Sequence, residues 1–157
     1  MNTKEVLSQE FEDLKDDLIK AYDAKKMRAS GKWADSLEVI AAENTVKLMG
    51  ENYSEQLEHG RAPGRFPPIQ AIKQWIIDKG IFTQVLQNIT ISSLAFLIAR
   101  KIAQEGWKRQ GQGGVELISE VVTDERIQKI IDEVGAVEAV RITSEIIVFM
   151  DQKLQVA

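Results

Sequence analysis

All three prolines of the chain fall between positions 63 and 68, in Gly60-Arg-Ala-Pro-Gly-Arg-Phe-Pro-Pro68. Proline lacks a backbone donor, fixes its own φ and restricts the residue before it, so this stretch is neither helix interior nor central strand. It reads as a stiff, extended loop. Upstream, Tyr53 to His59 reads as one or two helical turns closed by Gly60. Downstream, Pro68 suits the first turn of a helix with Ile69, Ile72, Trp75 and Ile76 on one apolar face, which places Trp75 in the core. Lys79-Gly80 ends that helix.

The flanking segments suggest an α+β fold. Residues 2–26 read as one amphipathic helix: Val6, Leu7, Phe11, Leu14, Leu18 and Tyr22 recur at spacings of three and four, and Asn2 with Glu5 matches a capping box. Glu12, Asp13, Asp16, Asp17 and Lys20 form its solvated face. After Ser30-Gly31, two short alternating runs meet at Glu43-Asn44, predicting a β-hairpin near residues 35–50. Ser92 or Ser93 is expected to cap a helix through Leu94, Ile98 and Ile102 that ends at Gly106. Lys108 to Gly114 reads as a mobile glycine-rich loop, and the chain from Val115 as helical with an interruption at Gly135. The expected fold is thus a small antiparallel sheet packed by several helices, with a long N-terminal helix and a helical C-terminal third. At 157 residues it makes a single domain: an N-terminal helix (1–27), a central core (28–135) and a C-terminal helix (136–157).

Composition narrows the chemistry. With no cysteine, thiol nucleophiles, zinc knuckles and disulfide frameworks are excluded. His59 is the only imidazole, and neither a second histidine nor a G-x-S-x-G elbow accompanies it, so it reads as a helix-end residue favoured by the helix dipole. Gly111-Gln-Gly-Gly114 lacks the Lys-Ser/Thr pair of a phosphate loop. The expectation is a protein without catalytic residues, cofactor or metal. No signal-peptide pattern or stretch of about 18 apolar residues is present, which predicts a soluble chain made in a cytoplasm, with no membrane partner. A net charge of -4 argues against DNA as the main ligand. The basic cluster of Arg100, Lys101, Lys108 and Arg109 beside Trp107 suits either phosphate or an acidic protein partner, and the acidic balance of the chain favours the protein.

The order of segments carries a further indication. Ser30-Gly-Lys-Trp-Ala-Asp-Ser-Leu37 leads into the hairpin, then come Asn52-Tyr-Ser-Glu-Gln-Leu-Glu-His-Gly60, the proline loop, Ala71-Ile-Lys-Gln-Trp-Ile76 and Leu94-Ala-Phe-Leu-Ile-Ala-Arg-Lys-Ile-Ala103. Over residues 28–135 this order resembles the tail-completion and head–tail joining family of tailed bacteriophages, although Trp33 stands where that family often has leucine. The resemblance implies a structural virion protein of the neck, assembled in the host cytoplasm into a six- or twelve-fold ring of its own copies. Portal or adaptor proteins and tail proteins would be its neighbours, with packaged DNA a possible further contact. The candidate interface comprises Tyr53, Leu57, Gly60, Arg61, Pro63, Arg65, Phe66 and Pro67 with Arg100, Lys101, Lys108 and Arg109. In it Phe66 supplies an aromatic anchor, or caps the chain's own core, and Arg61 and Arg65 supply forked charge. Competing readings are a small phage-encoded DNA-binding regulatory protein, for which no basic recognition helix is evident, and a lysis or processing enzyme.

Overall fold

The computed structural model describes residues 2–42, 45–81, 89–108 and 116–154. Its elements run α1 (Thr3–Ala24), α2 (Lys32–Asp35), β1 (Glu38–Ala41), β2 (Val46–Met49), α3 (Ser54–His59), α4 (Ile69–Asp78), α5 (Ile91–Glu105), α6 (Leu117–Val121) and α7 (Asp124–Leu154). The architecture is α+β: one two-stranded antiparallel sheet among helices. Asn2 and Glu5 form the expected capping box on α1, which buries Val6, Leu14, Leu18 and Tyr22. The hairpin pairs Val39 with Leu48 and Ala41 with Val46. These four residues are the less exposed face, while Ile40 and Met49 point outward. The turn expected at Glu43-Asn44 lies outside the described residues.

Trp33 occupies the centre of the core. It is 2% exposed and packs with Leu18, Tyr22, Met27, Ala34 and Leu117, its ring 4.6 Å from that of Tyr22. A buried indole requires an acceptor, and Nε1 donates to Ser54 Oγ at 2.9 Å. The α4–α5 pair packs separately over Ile76, Ala95 and Ala99, none of which is exposed.

Three expectations need correction. The cap of α5 is Thr90, whose Oγ1 accepts from the Ser93 amide, so neither Ser92 nor Ser93 fills that position. Trp75 is 39% exposed; it lies at the margin of its helix's apolar face, and Ile76 alone on α4 is buried. The C-terminal third divides at Val122-Thr123 rather than at Gly135, so no separate helix begins at 136. Thr123 opens α7: its Oγ1 accepts from the Arg126 amide, and Asp124 and Glu125 place negative charge in the first turn. The helix then runs straight through Gly135, where a Cβ would meet nothing within 4 Å. Gly135→Ala is accordingly expected to stabilise the protein by about 0.8–1 kcal/mol, the helix-propensity difference. Urea denaturation measures it; a loss of stability would mean that the helix does not continue there.

The first half of α7 is tied to α1. Arg126, Ile130, Glu133, Val134, Val137 and Glu138 recur at helical spacing and are partly covered. Arg126 reaches Asp17 at 3.4 Å and Glu10 at 3.5 Å, Lys129 reaches Glu10 at 3.1 Å, and Thr3 bonds Glu138. From Ala139 onward every described residue is exposed.

Candidate functional site

The proline loop is held by two glycines. Gly60 ends α3 and Gly106 ends α5, each donating its amide to the last turn of its helix. Their backbones are nearly the same: φ 75°, ψ -159° at Gly60 and φ 76°, ψ -167° at Gly106, a region in which side-chain-bearing residues are strained. The residues that follow pair across the gap. The Arg61 amide donates to the Trp107 carbonyl at 2.8 Å, and the Trp107 amide to the Arg61 carbonyl at 2.7 Å. A Cβ at Gly60 would lie 2.4 Å from the Trp107 carbonyl oxygen, and one at Gly106 would lie 2.4 Å from that of Arg61. Each glycine therefore makes room for the strand leaving the other. The Gly64 amide adds a bond to the Ala103 carbonyl at 2.8 Å.

This clasp presents the outer part of the loop. Ala62, Pro63, Gly64, Arg65 and Phe66 are exposed, and the Arg61 guanidinium donates to the Arg65 carbonyl at 2.9 Å, closing the loop on itself. Phe66 does not enter the α4–α5 core. It lies on the outside of α5 with its ring 5.9 Å from Phe96, and both rings remain about half exposed. Helical spacing puts Arg100 one turn beyond Phe96 and Lys101 one turn beyond Leu97, so a small apolar patch acquires a basic rim. Arg100 is exposed, and Lys101 pairs loosely with Glu105 at 3.9 Å.

Other expected interface residues do different work. Pro67 is buried, and Leu57 packs partly against the Trp33 core, so neither is a free contact residue. Gly60 serves the clasp, with exposed Lys108 beside it. Arg109 lies outside the described residues, as does most of the glycine-rich loop expected at 108–114. His59 is exposed at the end of α3. Its neighbour Glu58 is the informative residue: 7% exposed, it accepts from the amides of Ile118 (2.5 Å) and Ser119 (3.1 Å) and from the Ser119 hydroxyl. The residue preceding α6, Glu116, makes no side-chain cap, so Glu58 satisfies these helix-start donors from a distant part of the chain.

A feature that the sequence did not reveal lies on the other side of Trp107. A cleft of about 550 Å³ opens between the end of α1, α2, α3 and α4, and every tryptophan and tyrosine of the chain lines it: Tyr22, Trp33, Tyr53, Trp75 and Trp107. Trp33 and Tyr22 are buried, whereas Tyr53 and Trp75 stand 38% and 39% exposed. Burial raises the pKa of the Tyr53 hydroxyl above the ordinary phenol value, with the neighbouring Tyr22 and Glu51 adding to the shift. Lys26, Lys32 and Lys79 also line the cleft, with Asp78 as its acidic member. Lys79 is tied down by its bond to the Lys26 carbonyl at 2.6 Å. Comparison with protein-family models, with curated proteins and with solved structures finds no match to the chain.

Proposed function

We propose that this chain is a structural subunit of a tailed-phage virion that assembles with its own copies into a ring at the neck, between head and tail. One observation carries the self-assembly part: an apolar run in the second half of α7 is left uncovered on every side. Ile146-Ile-Val-Phe-Met150 is longer than one helical turn of about 3.6 residues, so it faces all directions. Those five residues are 54–60% exposed. A helix hydrophobic all round belongs in a buried setting. Among the described residues no helix is long and apolar enough to cross a membrane, α7 included. In this reading protein neighbours cover the run.

The Phe66–Phe96 patch is a further, chemically different surface, left for neighbours other than the chain's own copies. The placement in a phage neck rests on the ordered segments from Ser30 to Ala103 that resemble the head–tail joining family. In this reading the clasped loop meets portal, adaptor or tail proteins, and its rigidity reduces the entropy lost on docking.

Imaging intact particles with this subunit labelled tests the proposal. The expected label is a closed ring at the head–tail junction; label spread over the capsid lattice, or absent from particles, contradicts it. Phe66→Asp should abolish incorporation into particles while lowering monomer stability by less than about 1 kcal/mol, because the ring is already half exposed. A large fall in melting temperature with normal incorporation would instead assign Phe66 to the chain's own packing.

A further inference from the structure

We infer that the joint between copies is a helix in a groove: the apolar end of α7 from one chain seats in the aromatic cleft of the next. The inference rests on the self-assembly reading and names the two surfaces that meet. Residues from Val140 to Leu154 form a helix about 22 Å long in which every residue is exposed, and a continuous helix cannot turn back to reach its own cleft. Its cover must come from another molecule. The cleft supplies what such a helix needs: a concave aromatic floor with Trp75 and Tyr53 on its exposed walls, and room for a few large side chains such as Phe149 and Met150.

Charge favours the same pairing. Arg141 is engaged by Glu138 and Glu145 on its own helix at 2.7 Å, and Lys153 lies over the Phe149 ring. Asp151, one turn from Ile147, takes no ion-pair partner among the described residues, nor does Lys32 at the cleft. Unlike charges are thus available on the two surfaces. Knob and cleft are different parts of the chain, so the contact is heterologous, the kind of contact from which a ring is built.

Light scattering on full-length variants tests the joint. Phe149→Asp and Trp75→Ala should each weaken self-association at least about 100-fold. Mixed in equal amounts they should form dimers and nothing larger, because one intact knob meets one intact cleft. The exposed pair gives a second test that does not touch packing: Lys32→Glu should weaken assembly about tenfold, and adding Asp151→Lys should restore it. Cleft variants that assemble like the parent, mixed variants that stay monomeric, or a charge swap without rescue would each overturn the joint. A parent chain that is itself monomeric would instead overturn the self-assembly reading on which the joint rests.

Discussion

Gly106→Ala is expected to cost about 3–4 kcal/mol of folding stability, and Gly60→Ala about the same. The added methyl would sit 2.4 Å from a carbonyl oxygen of the opposing strand, and this oxygen belongs to backbone that has no rotamer with which to move aside. The φ near +75° adds strain of about 1–3 kcal/mol for any residue with a side chain. Opening the gap to relieve both effects breaks the paired Arg61–Trp107 hydrogen bonds, at about 0.5–1.5 kcal/mol each. Because either substitution opens the same clasp, the double variant should lose much less than the sum of the two. Denaturant titration of the four proteins provides the cycle. Independent, additive losses, or single losses below about 1 kcal/mol, would mean that the two glycines do not act on one another's strands.

Glu58→Ala should be comparably severe, at about 3 kcal/mol. Hydrogen bonds to a charged acceptor contribute about 1.5–3 kcal/mol, and here the amides of Ile118 and Ser119 depend on one carboxylate. The damage would reach further than α6. Leu117, fully buried against the Trp33 cluster, is its first residue, so a loosened α6 withdraws a side chain from the centre of the core. A melting temperature lower by about 6–12 °C is expected, at roughly 2–4 °C per kcal/mol for a chain of this size. Glu58→Gln keeps an acceptor oxygen but not the charge, and should lose about half as much. His59→Ala, on the exposed neighbour, should change little. Equal effects at the two positions would remove Glu58 from its capping role.

The parts of this fold legible in the sequence are those governed by local rules. Asn2 and Glu5 announce α1 because a capping box is closed by residues three apart. Alternation exposes the hairpin, and glycines after apolar periods mark the ends of α3 and α5. What stayed hidden depends on distant parts of the chain. Gly60 and Gly106 each read as a helix stop; that each clears space for the other's strand emerges only when α3 and α5 are brought end to end. Glu58 looks like one more surface carboxylate until α6 arrives above it.

Gly135 was the opposite case, a local stop signal overridden because the flanking residues sustain the helix and nothing crowds it. A better signal lay upstream, in Thr123-Asp-Glu, a cap followed by acidic first-turn residues. Trp75 shows the limit of periodicity. An apolar stripe tells that a face is covered or lines a cleft, and only the surrounding elements decide which. The candidate loop was legible as stiff and basic; its Phe96 companion and the aromatic cleft behind Trp107 were not, since their residues come from separate segments.

The proposed self-assembly, in which the chain completes its burial against its own copies, can be checked by sedimentation velocity of the purified full-length protein at tens of micromolar, run beside Phe149→Asp. A discrete multi-subunit species is expected for the parent and a folded monomer of 17.7 kDa for the variant. A parent chain that sediments as a stable monomer, with Ile146 to Met150 still helical, would refute the proposal.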